Sequence, residues 1–183
     1  IVLFPFYWMI ISSLKTEAEY RQSIPTFWEK GIRYFKIMSP TGEAVEFCHS
    51  RGVKLYVTVN SFTKNNEIEP LKDYAKMLYE IGADAVIVSD LGAVATIKKA
   101  APDLEVHIST QANCCNYAAA TAYYEMGASR VVLAREMTIE EIGELHQKIP
   151  KELELEAFVH GAMCMAYSGR CLISSFLNDR SGN

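Results

Sequence analysis

VKLYVTVN, residues 53–60, alternates without a break: Val53, Leu55, Val57 and Val59 are apolar, and Lys54, Tyr56, Thr58 and Asn60 stand between them. Successive side chains of a strand point to opposite faces, so this period of two predicts a strand with one apolar and one polar face. LEVHISTQ (104–111) divides the same way, with Leu104, Val106 and Ile108 against Glu105, His107 and Ser109. So does ELEAFVH (154–160), with Leu155, Ala157 and Val159 against Glu156, Phe158 and His160. ADAVIVSD (83–90) and SRVVLARE (129–136) are two further strand-like runs.

Helical stretches separate them: EAVEFCHSRG (43–52), EIEPLKDYAKMLYEIG (67–82), GAVATIKKAAPD (92–103), CNYAAATAYYEMG (115–127) and TIEEIGELHQKIP (138–150). Gly52, Gly82 and Gly127 stand where helices are expected to end, Pro102 stops the third, and Thr138 with Glu141 has the spacing of a capping box. Such alternation means parallel strands joined by crossover helices, either in a (β/α) barrel or in an open doubly wound sheet. Strands of an open parallel sheet are covered by helices on both faces and are apolar on both. Half-polar strands suit a barrel instead, with helices outside and working residues within. The expected class is therefore α/β, a partial (β/α) TIM-like barrel, because a complete barrel needs eight units and about 250 residues. Residues 53–59, 84–89, 104–109, 130–134 and 154–159 are predicted to be adjacent parallel strands with helices on one side only.

The chain has 183 residues, half of them hydrophobic and 22% charged, which fits a single globular core. A net charge of −4 and a pI near 5.6 give no overall cationic field, so contact with nucleic acid would need a local patch. Five cysteines, two of them adjacent at Cys114 and Cys115, do not form a disulfide framework and point to a reducing, cytoplasmic compartment. IVLFPFYWMII (1–11) is too short to span a bilayer, contains Pro5 and lacks a basic lead-in, so it reads as core and no membrane is expected. Residues 1–42 show no regular unit: a strand-like start precedes a helix interrupted by Pro25. They are set apart as an atypical N-terminal segment, a truncated or altered first unit, and 43–183 as the partial barrel. The absence of an initiator methionine and the end at Asn183, just past the last cysteine, lead to the expectation of a fragment.

Barrel enzymes carry their active sites at the carboxyl ends of the strands. Here those ends hold Asn60, Ser89 with Asp90, Ser109 with Thr110 and Gln111, Arg135 with Glu136, and His160 followed by Cys164 and Cys171. His160, His107 and Gln111 are the catalytic candidates, and Arg135, Glu136, Asn60 and Asp90 the substrate-binding ones. His160, Arg135, His107 and Gln111 are expected to converge at one rim. For Asn60, Ser89 and Asp90 the alternative is helix capping or loop satisfaction. Cys164 and Cys171, with the cationic Arg170 alongside, could ligate a metal or an iron–sulfur cluster, or could be buried structural thiols. Cys114 and Cys115 precede a helix whose dipole lowers thiol pKa values, or they fill core space. Cys48 has no assigned role, and His49 and His146 are expected to face solvent. The chain has neither HExxH nor GxSxG, and the spacing of His160 and Cys164 does not establish a thiol-protease pair.

HGAMC at 160–164 and YSGRCLIS at 167–174, with STQAN at 109–113 and RVVLARE at 130–136, resemble the signature of the collagenase-like proteases, peptidase family thirty-two of unassigned catalytic type. The resemblance runs over roughly residues 43–183. It implies either the peptidase of the family name or an enzyme that hydroxylates the wobble uridine of transfer RNA, a base of ribosomal RNA, or a quinone precursor. In the hydroxylating branch it further implies an iron–sulfur cluster held by Cys164 and Cys171 with two more cysteines from further along the chain. A prephenate-derived donor, whose carboxylate Arg135 could hold, and a partner protein of the same family are implied as well. A non-catalytic binding partner is the third alternative.

Overall fold

A computed structural model describes residues 40–160 and 164–171, together with the backbone of 34–37. The chain divides into two compact units at Arg33 and Tyr34, and every described element belongs to the second. Strands β1 (Tyr34–Ile37), β2 (Lys54–Val59), β3 (Ala85–Val88), β4 (Glu105–Ile108), β5 (Arg130–Val132) and β6 (Glu154–Glu156) form one sheet in sequence order. All five pairings are parallel. Between them run α1 (Gly42–His49), α2 (Ile68–Glu80), α3 (Leu91–Ala100), α4 (Tyr117–Glu125) and α5 (Ile139–Lys148).

The alternating pattern decides which face each strand buries. Val57, Val86, Val88, Val106, Ile108, Val131 and Leu133 share one core with Leu71, Ala75 and Leu78 of α2, Ala93, Val94 and Ile97 of α3, Ala120 of α4 and Leu145 of α5. Each fully buried valine, leucine or isoleucine is worth about 1.5–3 kcal/mol, so this face dominates the stability of the unit. Tyr56, Ala85 and Ile87 form a separate small cluster on the opposite face. The helices thus lie on one side of a sheet wound in a single direction, as expected of a partial (β/α) barrel.

Local signals fix the helix boundaries. Thr41 Oγ1 accepts from the Ala44 amide (3.3 Å), Asp90 Oδ1 from Ala93 (2.8 Å) and Asn116 Oδ1 from Ala119 (2.9 Å), each satisfying an amide that the first turn leaves open. The capping box at Thr138 and Glu141 is present in both directions. Gly52, Gly82 and Gly127 take left-handed φ values of 67°, 81° and 96° after α1, α2 and α4, as their positions require. Asp84 Oδ2 accepts the Leu55 amide (2.7 Å) and meets His49 Nε2 (2.8 Å), tying the exposed end of α1 to the start of the sheet.

Several boundaries differ from expectation, among them β5, which ends at Val132 instead of 134. The sheet begins at Tyr34, inside the segment set apart as 1–42; residues 1–33, with their expected strand and interrupted helix, lie outside the described residues. α4 begins at Tyr117, because Asn116 is its cap and the two cysteines precede it. β6 ends at Glu156 instead of 159, and Phe158 and Val159 are exposed, the latter at 96%. The cause lies just after β5: Leu133 donates its amide to Glu156 O (2.8 Å), but the next amide on that side, of Arg135, goes to Ser168 Oγ (3.2 Å). Beyond Glu156 that edge no longer offers β6 a partner.

Candidate functional site

The loop 164–171 is held over the carboxyl ends of β4 and β5 by Arg135 and Glu136. Arg135 donates from Nη1 to Cys164 O (3.0 Å) and from Nη2 to Ala166 O (3.0 Å), while its backbone amide (3.2 Å) and Nε (3.4 Å) reach Ser168 Oγ. Ser168 is buried, and its amide donates to Glu136 Oε1 (2.8 Å). The guanidinium fork suits this task because its donors lie in fixed directions and can span two carbonyls at once. Gly169 has a φ of +74°, and a Cβ there would lie 1.9 Å from Gln111 O, so the loop backbone rests directly on the 3-10 turn Thr110–Ala112.

Two thiols stand on this loop. Cys164 is exposed and Cys171 half-buried. The Cys164 pKa is lowered, first by the Ala166 amide, then by Cys171, with the charge of Arg135 assisting against desolvation. The cation acting on this thiol is therefore Arg135, and not the neighbouring Arg170 that the sequence suggests. Burial works against ionisation of Glu136, yet the Ser168 hydrogen bonds and Arg135 outweigh it and hold the carboxyl below its usual range.

Hydrogen bonds stitch the rest of the rim together. Ser89 Oγ donates to Asn60 O (3.0 Å), the Ser109 amide to Val88 O (2.8 Å), the Gln111 amide to Ser109 Oγ (3.2 Å) and Thr110 Oγ1 to Leu133 O (3.1 Å). Along this rim the side-chain oxygens Asn60 Oδ1 and Gln111 Oε1 are buried and have no hydrogen-bond partner. A buried acceptor left in that state costs about 1–3 kcal/mol.

Below the rim, the inner face of the sheet carries an ionic and aromatic layer. His107 is buried with its ring edge-on to Tyr56 (4.7 Å between centroids), and its pKa is lowered to about 4, chiefly by burial and then by Arg130. Arg130 donates to Glu154 through Nε (2.9 Å), approaches Glu156 (3.5 Å) and lies over the Tyr56 ring (5.5 Å). His107 is in register with Ile87 and Arg130, before the end of β4.

The expected convergence is thus half realised. Arg135 and Gln111 meet at the loop, but His107 sits a layer deeper, because its inward position falls within the strand and not after it. His160 is exposed beyond the end of β6 and makes no hydrogen bond or ion pair among the described residues. Three substrate-binding candidates are occupied by structure: Asp90 caps α3, Glu136 holds Ser168, and Arg135 is taken up by the loop carbonyls. Asn60 keeps a free side-chain oxygen at the rim. Cys114 is buried and Cys115 exposed, and burial raises the pKa of both, opposite to the direction expected at a helix start. Cys48 is buried and His146 exposed, while His49, also exposed, is engaged by Asp84.

The sequence reading missed Ser168 as the hub of the loop and the inner layer of Tyr56, Arg130 and Glu154. The period of two already places Tyr56 and Glu154 on the inner face with His107, whereas nothing local marks Ser168.

Residues 32–183 match Peptidase family U32. The chain belongs to this family. It is 41% identical over 139 residues to the tRNA hydroxylation protein P of Haemophilus influenzae, covering 76% of this chain and 30% of that protein. It is 38% identical over 141 residues to the 23S rRNA 5-hydroxycytidine C2501 synthase of Escherichia coli, covering 77% of this chain and 21% of that protein. The U32 chain therefore spans about a third or less of the length of these curated relatives. A solved structure of a U32 peptidase superposes with a TM-score of 0.58 at 19% identity, over 75% of this chain and 59% of the other, and shares the fold. Among the described residues, no helix is long and apolar enough to cross a membrane.

Proposed function

We propose that this chain is the part of an RNA-base hydroxylation enzyme that supplies the base-binding rim and two thiolates of an iron–sulfur cluster. The observation that carries the reading is its identity of about 40% to a protein named for tRNA hydroxylation, in a family match that includes the paired thiols of the clamped loop. The donor set is consistent with a cluster: Cys164 and Cys171 stand on one loop, the Cys164 pKa is lowered, and soft thiolates are what iron–sulfur centres take. Two thiolates are half of a four-cysteine set, and the described residues contain no group of three or more candidate ligands. The remaining ligands must come from elsewhere in the protein or from a partner of the same family. Such a cluster would supply electron transfer at the carboxyl end of the strands. Arg135, already engaged, leaves the exposed Arg170 as the loop cation for an anionic donor such as prephenate. Thiolate ligation requires a reducing compartment, which supports the cytoplasm.

The peptidase alternative needs an assembled nucleophile, and His160 makes no hydrogen bond to Cys164 that would activate one. Two measurements on the intact protein decide between the readings. Purified without oxygen, it should contain iron and acid-labile sulfide, and Cys164→Ser or Cys171→Ser should lose most of both. RNA from cells lacking the gene should be missing one hydroxylated pyrimidine, restored by the wild type and not by either variant. A protein free of iron and sulfide that cleaves peptides in a thiol-dependent way would overturn the proposal.

A further inference from the structure

We propose that the Gln111 carboxamide, assisted by Asn60, reads the Watson–Crick edge of the target pyrimidine, an inference that rests on the RNA-hydroxylation reading. Three buried side-chain atoms among the described residues have no hydrogen-bond partner: Asn60 Oδ1, Gln111 Oε1 and Ser129 Oγ. Ser129 directly precedes β5, at the amino ends of the strands. Asn60 and Gln111 stand at the opposite ends, after β2 and β4, where barrel active sites are built. The rim hydrogen bonds from Asn60 through Ser89, and from Val88 through Ser109 to Gln111, fix both backbones along one edge. Gln111 also adjoins the thiols, because its carbonyl lies against Gly169, two positions before Cys171. Buried polar atoms are nearly always paired, and these two, closed to solvent in this state, call for a donor that the fold itself does not supply.

The chemistry of a carboxamide selects the ligand class. It presents one acceptor and one donor side by side. Uracil offers a complementary pair in N3–H and O4, and cytosine the reverse pair in N3 and its 4-amino group. A half-turn about the last side-chain bond fits the same glutamine to either base. A carboxylate only accepts, and a lysine or arginine only donates, so neither would serve both. A base extruded from its stack is commonly held by this edge. Its C5, the position named in the cytidine synthase to which this chain is similar, then remains free of the contact.

The test compares two stem–loop RNAs, one with a single loop uridine and one with 3-methyluridine in its place, on the intact protein and on Gln111→Met. The methyl group removes the N3–H donor and leaves phosphates and sugar unchanged. The wild type should bind or hydroxylate the uridine RNA about tenfold or more better than the methylated one, within the discrimination expected of a bidentate base contact. Gln111→Met should bring the ratio close to one. A variant that only loosened the rim would lower both RNAs together and leave the ratio intact, and that result overturns the proposal. So does a wild type that hydroxylates both RNAs equally, whatever the variant does. If the intact protein hydroxylates no RNA at all, the underlying functional reading fails instead.

Discussion

Replacing Gly169 by alanine should unseat the thiol loop while leaving the barrel folded. At a φ of +74° an L-residue pays about 1–2 kcal/mol for its left-handed conformation alone. The added Cβ would also lie 1.9 Å from Gln111 O, 2.8 Å from its carbonyl carbon and 3.2 Å from its Cα, all backbone atoms that no rotamer can move. Ordinary contact begins near 3.4 Å, so the loop must rise by an amount that the 3.0 Å bonds from Arg135 to Cys164 O and Ala166 O cannot follow. Losing two or three hydrogen bonds at about 1 kcal/mol each, on top of the strain, comes to roughly 3–5 kcal/mol against the seated loop. The outer core contains no residue of this loop, so global stability should change little. Hydrogen exchange on the intact protein gives the readout: the Ser168 and Arg135 amides should lose protection while those of β3 and β4 keep theirs. A trivalent arsenical that bridges adjacent thiols should also capture Cys164 and Cys171 more slowly. An alanine variant with unchanged protection at Ser168 would refute the clamp.

Two further outcomes concern the barrel itself. His107 has a folded pKa near 4 against an ordinary 6.5, so between these values the unfolded chain binds a proton that the fold refuses. Its contribution is intact above pH 6.5 and is lost as pH falls toward 4, with a ceiling of about 3 kcal/mol. Urea unfolding at pH 7.0, 5.5 and 4.5 should show this acid limb, and His107→Gln should flatten it; an equal slope in the variant would place the titration elsewhere, with Glu105, Glu156 and Arg130 the charged neighbours to examine. Thr138→Ala removes the acceptor for the Glu141 amide, and the cap should be worth about 1 kcal/mol, read as a lower urea midpoint with no change in the thiol loop.

Wherever a feature depends on residues close in sequence, the chain announces it. The alternation in 53–60 and 104–111 names the buried face of β2 and β4, and Thr138 with Glu141 names the start of α5, because strand period and capping are local properties. The end of β6 was not legible, since it depends on the Arg135 amide beyond a neighbouring strand, which goes to Ser168 Oγ, 33 residues away. The engagement of Arg135 was hidden for the same reason. In sequence it is a cation at a strand end, ready for an anion; in the fold, carbonyls from 29 and 31 residues away have already claimed it. His107 shows the complementary error, since an inward side chain can serve the sheet interior as readily as the rim, and only register decides which.

The two arginines that flank β5 show how one short segment serves both stability and chemistry. Arg130 opens the strand and is met by Glu154 and Glu156 of β6, so its charge is largely neutralised by carboxylates within the inner layer. Arg135 follows the strand and is met mainly by neutral acceptors, the carbonyls of Cys164 and Ala166 and the hydroxyl of Ser168. Carbonyl dipoles satisfy its donors without cancelling its charge, and Glu136, bound to the Ser168 amide, offsets only part of it. The guanidinium therefore fixes the loop and still leaves a positive field beside Cys164, the direction that favours a thiolate. A lysine could supply the charge but not the planar fork across two carbonyls, and a neutral amide could supply hydrogen bonds but not the field. Only the arginine does both, which is why its engagement by the loop belongs to the chemistry of the rim as much as to its architecture.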